Sequence, residues 1–133
     1  MVDSQYRTSA GCVYTLKYHL VWCSKYRRKV LVDEIAERLE ELLYKIANQL
    51  DVNIESLEII PDHVHLFVSA DPTEAPQRLA NQFKGYTSRI LRSGFRSLKS
   101  RLPTLWSRSY YIGSVGYVSE ESVKKYIEAQ KGK

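Results

Sequence analysis

Two short spacings in this chain bring together groups that could hold a cation and attack an electrophile. His63 and His65 lie two apart in Pro61-Asp62-His63-Val64-His65-Leu66-Phe67-Val68. A strand repeats every second residue, so both imidazoles share one face while Val64, Leu66 and Val68 face the other way, towards a core. Two nitrogen donors then converge by backbone geometry alone. Near the end of the chain, Val123, Tyr126, Ile127 and Gln130 fall at helical spacing, which sets a phenol and an amide one turn apart on one helix face. Each spacing also has a plain structural reading: two polar residues on a half-solvated strand, and a tyrosine packed in an apolar stripe. Other site types fit less well. A histidine-triad nucleotide hydrolase needs a third alternate histidine where this chain has Phe67, and Cys12, Cys23 and His19 supply no second close-spaced pair for a structural zinc.

The elements that must carry these residues can be read from patterning. Residues 13 to 23 are β-branched and aromatic, with Tyr14, Leu16, Tyr18, Leu20 and Trp22 on one face of a strand. After a basic turn, Ile35, Leu39, Leu42, Leu43, Ile46 and Leu50 recur at helical spacing, predicting a helix over 34–50 with Asp33 as its cap. Asn53 to Ile60 and His63 to Ala70 read as antiparallel neighbours joined at the turn dipeptide Pro61-Asp62. Leu79, Phe83, Tyr86, Ile90 and Leu91 mark a second helix ending near Gly94; Leu105 to Val115 is strand-like; Ser119-Glu120-Glu121 opens a last helix over about 119–131. The order is strand, helix, strand, strand, helix, strand, helix. Its first six elements match the split βαβ pattern, βαββαβ, of ferredoxin-like and RRM-like antiparallel sheets, so the fold class is α+β with an additional C-terminal helix. No repeat, low-complexity stretch or long linker divides residues 1–133, and one domain is expected.

Bulk properties narrow the partners. Twenty Lys and Arg against fifteen Asp and Glu give a net charge of +5, which favours a polyanion through long-range attraction and counterion release. The two cysteines show neither metal spacing nor a disulfide-rich pattern. No run approaches the roughly 18 apolar residues of a membrane span, and the first residues lack the apolar core of a signal peptide. A soluble, cytoplasmic protein with no membrane partner is expected.

Three segments, in this order and in so short a chain, carry a specific resemblance: Tyr18-His19-Leu20-Val21-Trp22 followed by Lys25-Tyr26-Arg27, then Pro61-Asp62-His63-Val64-His65-Leu66, then Tyr126-Ile127-Glu128-Ala129-Gln130. Together they resemble the HUH single-tyrosine transposases of bacterial and archaeal insertion sequences, the TnpA-type family, to which the REP-associated tyrosine transposases are related. The resemblance covers nearly the whole chain. It implies that Tyr126 is a catalytic nucleophile and that His63, His65 and Gln130 are metal ligands. It further implies a 5′-phosphotyrosine intermediate, single-stranded DNA with subterminal hairpins as substrate, and a homodimer in which the tyrosine helix can serve the partner's histidine pair. A phenol of pKa about 10 is only on the order of 0.1% ionised at pH 7, a deficit that a nearby divalent cation can offset. Two imidazoles and an amide oxygen suit Mg²⁺ or Mn²⁺, the imidazoles tilting affinity towards Mn²⁺. No Gly-x-x-x-x-Gly-Lys-Ser/Thr segment is present, in keeping with chemistry that needs no nucleotide cofactor.

Two basic groups are candidate DNA contacts: Lys25, Arg27 and Arg28 with Lys29, and a stripe of Arg89, Arg92, Arg96 and Lys99 if helix persists past Gly94. Tyr26, Tyr86, Phe95, Trp106, Tyr110 and Tyr111 interleave with these charges and could stack on unpaired bases. A competing function, a non-catalytic nucleic-acid-binding module on the same scaffold, explains charge and fold equally well but not a helical Tyr/Gln pair accompanying a His-x-His strand. A domesticated REP-associated relative would share the chemistry. His19 is expected either in the core or beside the site, and Gly113 and Gly116 offer backbone freedom ahead of the last helix.

Overall fold

In a computed structural model, residues 7–9, 12–14, 16–70, 75–114 and 120–133 are described, with side chains over 16–70, 75–114 and 124–133. A small hairpin of β1 (Arg7–Ser9) and β2 (Cys12–Tyr14) precedes a sheet built from β3 (Lys17–Cys23), β4 (Asn53–Ile60), β5 (His63–Ser69) and β6 (Tyr111–Ser114). The helices are α1 (Asp33–Gln49), α2 (Pro76–Gly94), α3 (Arg96–Arg101) and α4 (Glu120–Ala129). The sheet is antiparallel with order β4-β5-β3-β6. Counting only the four sheet strands, that order is 2-3-1-4, the arrangement of a ferredoxin-like split βαβ sheet.

The alternation expected for the central strands is what divides the sheet into a packed face and a site face. Leu20, Trp22, Val64, Leu66 and Val68 are fully buried against Leu39, Leu42 and Leu43 of α1 and Leu79, Phe83 and Leu91 of α2. Trp22 anchors this layer, stacked on Phe83 at 6.3 Å and meeting Trp106 edge-on at 5.9 Å. Burying each such side chain stabilises the fold by about 1.5–3 kcal/mol. The opposite face receives His19, Val21 and Cys23 of β3 and His63 and His65 of β5, because cross-strand partners share a face and Cys23 pairs with His63, Val21 with His65.

Several expected boundaries shift. The first strand-like run divides, with β2 ending at Tyr14 and β3 starting at Lys17. Val32, not Asp33, holds the cap position of α1, and no side chain caps it; Asp33 is the first helical residue, with φ 50°. Helix does not persist past Gly94: Phe95 is extended (φ −126°, ψ 103°), and α3 starts afresh. Of the run from Leu105, only Tyr111–Ser114 forms strand among the described residues, while Trp106 makes an isolated bridge to Ser24. Ser119, Val115 and Gly116 lie outside the described residues.

Candidate active site

The two-residue turn Pro61-Asp62 folds β5 back on β4, pairing His63 with Ile60 and His65 with Glu58. Both histidines are partly buried on the site face, as the alternation requires. Asp62, itself buried, turns Oδ1 to His63 Nδ1 at 2.8 Å. In the neutral ring, Nδ1–H donated to this carboxylate leaves Nε2 with its lone pair, the tautomer required of a metal ligand. Asp62 Oδ2 accepts Nε and Nη2 of Arg27 at 3.0 and 2.9 Å. These hydrogen bonds and the guanidinium hold the Asp62 carboxyl below its ordinary range against the opposing effect of burial.

His65 has a different partner. Its Nε2 lies 2.9 Å from Nδ1 of His19, whose ring stacks on Phe67 at 4.6 Å. Burial lowers the pKa of both imidazoles, and each is lowered further by a neighbouring histidine: His65 for His19, and His63 for His65, where Glu58 opposes. The pair therefore rests as two neutral rings sharing one N–H. His19 borders the site rather than the core.

The tyrosine helix covers the same face from the other side. A row of cross-strand partners runs His65, Val21, Tyr111 across β5, β3 and β6, so Tyr111 stands two strand spacings, about 10 Å, from His65. The ring of Tyr126 lies 5.9 Å from that of Tyr111. On this face Val21 and Cys23 are fully buried, and burial pushes the Cys23 thiol up to about 11, which leaves it unreactive. Gln130 is 6% exposed, and its Oε1 accepts the Ser109 hydroxyl at 2.8 Å. Since Ser109 has one hydroxyl hydrogen and donates it there, Tyr126 must be the donor in the 3.1 Å contact between the two hydroxyls. Burial raises the Tyr126 phenol to about 12, against the lowering effect of Ser109, whose hydroxyl can turn to donate to the phenolate.

The loop carrying Ser109 is fixed by a residue that patterning alone passed over. Lys84 of α2 is buried, and its Nζ donates to the carbonyls of Ser107, Arg108 and Ser109 at 2.8, 3.1 and 3.1 Å, with the Tyr110 ring 5.4 Å away. Its signal was legible, since a lysine one turn after Ala80 and one before Thr87 falls within the buried stripe of α2.

The basic candidates separate into two kinds. Arg28 and Lys29 line a cavity of about 470 Å³ with Val30, Arg101 and Leu102, and Lys25 lies over the Tyr26 ring at 5.1 Å. Arg89 and Lys99 meet in a second concavity, of about 390 Å³, although they lie on different helices; Arg89 also lies 5.8 Å from the Tyr86 ring. Arg96 is exposed at the start of α3. Two others are engaged within the fold: Arg92 donates to the carbonyls of Leu102 and Pro103, and Arg27 to Asp62.

An antiparallel split-βαβ sheet carrying a His-x-His strand and a tyrosine helix on one face defines the class of protein. Residues 12–130 match the family described as "Transposase IS200 like". The chain is 41% identical over 125 residues to the ISDra2 transposase TnpA of Deinococcus radiodurans, covering 92% of this chain and 89% of that one. It is 29% identical over 119 residues to the transposase for insertion sequence element IS200 of Salmonella typhimurium, covering 88% of this chain and 78% of the relative. A Deinococcus radiodurans R1 crystal structure described as a transposase superposes with a TM-score of 0.89 at 36% identity, over 96% of this chain and 99% of that one. A REP-associated tyrosine transposase bound to a REP hairpin shares the fold, with a TM-score of 0.57 at 12% identity over 95% of this chain and 69% of that one. The chain belongs to the IS200-like single-tyrosine transposase family.

Proposed function

We propose that this chain cleaves and rejoins single-stranded DNA at insertion-sequence ends, with Tyr126 as nucleophile and His63, His65 and Gln130 as ligands of a Mg²⁺ or Mn²⁺ ion. The observation that carries the reading is that Tyr126, Gln130 and both histidines, brought from elements far apart in sequence, all lie on the sheet face away from α1 and α2. Among the described residues no group of three His, Cys, Asp or Glu is placed to hold a metal ion; the donor set in this reading is two imidazoles and an amide oxygen. Its chemistry fits: in the neutral His63 ring whose Nδ1–H faces Asp62, Nε2 is left as a nitrogen donor, and the amide of Gln130 is a neutral oxygen donor. His65 can offer Nε2 once His19 gives up its contact.

In the cleavage step the Tyr126 oxygen forms a bond to phosphorus as the bond from phosphorus to the departing 3′ oxygen breaks. The phenol loses its proton, the departing oxygen gains one as a 3′-hydroxyl, and a later 3′-hydroxyl reverses the exchange to join strands. A phenol at about 12 is neutral at rest. A divalent ion held there would supply positive charge that favours phenolate and offsets charge on the phosphate. Ser109, which accepts from the neutral phenol, can turn its hydrogen to a phenolate without moving its oxygen. Hairpin DNA and a homodimer belong to the same reading. In the single chain α4 docks on its own sheet, so a site shared between subunits would require this docking to be exchanged.

A denaturing gel tests the proposal. Labelled single-stranded oligonucleotides from the source element's ends should give a covalent protein–DNA adduct with Mn²⁺, none with chelator and none with Tyr126→Phe, which keeps the ring and removes the nucleophile. Binding without an adduct under any metal would instead favour a non-catalytic nucleic-acid module. Mixing Tyr126→Phe and His63→Ala chains in the same gel reads the arrangement: restored adduct means a shared site, and none means each chain acts alone.

A further inference from the structure

We propose that Arg27 is a positioning residue that ties the tyrosine helix to the histidine strand, rather than a contact to the DNA backbone. The inference rests on the reading of His63 and Tyr126 given above. One guanidinium reaches both elements. Its Nε and Nη2 hold Asp62 Oδ2, while Asp62 Oδ1 holds His63 Nδ1. Its Nη1 donates to the carbonyl of Ile127, next to Tyr126 in α4, at 3.3 Å, and lies 3.9 Å from Glu128 Oε2. The two carboxylate oxygens of Asp62 are thus divided between fixing the imidazole tautomer and gripping the arginine that holds the helix.

The backbone supports this assignment independently. Tyr26 and Arg27 both take left-handed conformations, φ 59° and 53°, a costly choice for side chains bearing a Cβ and one that clusters where a site depends on it. The turn is braced by Arg27 N to Ser24 O at 2.9 Å, Arg28 N to Lys25 O at 3.2 Å and Tyr26 N to Lys133 O at 3.0 Å. Its effect is to turn Arg27 inward, its side chain 21% exposed, while Tyr26 and Arg28 on either side face solvent. A phosphate contact could use the same fork only by releasing Asp62, and with it the orientation of His63.

Arg27→Gln separates the two roles. A phosphate contact predicts weaker binding of single-stranded DNA and a salt slope smaller by about one. The positioning role predicts binding and salt slope within about twofold of wild type, with single-turnover adduct formation at saturating Mn²⁺ slowed about 10- to 100-fold, the range typical of lost outer contacts to a ligand. Nitrogen-15 spectra of the histidine rings give a readout free of activity. His63 should be held as the Nδ1–H tautomer in the wild-type protein and become a mixture in Arg27→Gln. Asp62→Asn should behave alike, and the double variant should lose little more than either alone. Thermal melts identify any variant that does not fold, and Arg27→Lys, which keeps the charge without the fork, then takes its place with the same expectation in rate and tautomer. Weakened, less salt-dependent binding or an unchanged adduct rate would overturn the proposal. If the wild-type chain forms no adduct, the reading of Tyr126 fails, and the His63 tautomer alone decides Arg27: an unchanged Nδ1–H signal in the variant overturns it.

Discussion

Asp62 and Ser109 show how single polar atoms set the state of the site. Each faces two partners: Asp62 serves Arg27 and His63, and Ser109 accepts from Tyr126 while donating to Gln130. Neither role is written in a residue pattern, because each depends on chain segments brought together only by folding. Asp62 reads as turn chemistry from sequence, and Ser109 as one serine among several; the adjacency of a carboxylate to a histidine was the one available hint. The histidine contact that sequence left open has a measurable consequence. Both His19 and His65 are held below the ordinary histidine value of 6.5 by burial. The unfolded chain therefore binds protons first as pH falls, so the stability these residues contribute is full above about 6.5 and is lost as pH falls through their lower folded values. Urea unfolding between pH 7.5 and 5 should show stability declining with acid. Replacing His19 by Phe removes one of the two titrations, so the decline should be shallower; an identical decline would show that the pair is not its source.

At the scale of elements, the parts governed by local periodicity were legible. The His-x-His alternation, the hairpin at Pro61-Asp62 and the stripe of α1 all follow from spacing, and the second helix stops where glycine suggested. What was not legible had tertiary causes. The basic stripe is broken at Phe95 by the extended backbone there, yet Arg89 and Lys99 still come together because α3 packs beside α2. The segment before β6 read as strand from its apolar residues, but Ser107, Arg108 and Ser109 turn their carbonyls to Lys84 instead of to a neighbouring strand. That arrangement makes α2 the support for Ser109 and, through it, for α4. Lys84→Met keeps the length of the stem and leaves three carbonyls without their donor, and should destabilise the chain by about 2–4 kcal/mol. Denaturant titration checks this, and a loss under about 0.5 kcal/mol would mean that water replaces the ammonium without penalty.

Across the whole molecule, the sheet divides the chain's work between its two faces. One face buries Leu20, Trp22, Val64 and Leu66 under α1 and α2 and supplies the rigidity; the other is left for His63 and His65, with α4 packed against β3 and Tyr111 beside them. The βαββαβ order visible in sequence already required such a division, since alternating strands covered by helices on one side leave a second face to be used. Where the last helix would dock was not legible: its spacing puts Tyr126 and Gln130, the latter just past the helix end at Ala129, on one side, but the partners that receive it, Arg27, Ser109 and Tyr111, come from three other parts of the chain. No helix of the described residues is long and apolar enough to cross a membrane. In the proposed function this face carries Tyr126 as the nucleophile, and Tyr110 and Tyr111 stand close enough in the chain to Ser109 to be its rivals. Digesting the Mn²⁺-dependent protein–DNA adduct and sequencing the nucleotide-bearing peptide by mass spectrometry distinguishes the three. A phosphodiester on the peptide containing Tyr126, through its phenol oxygen, is expected; a modified peptide containing Tyr110 or Tyr111 with Tyr126 unmodified would rule Tyr126 out as the nucleophile.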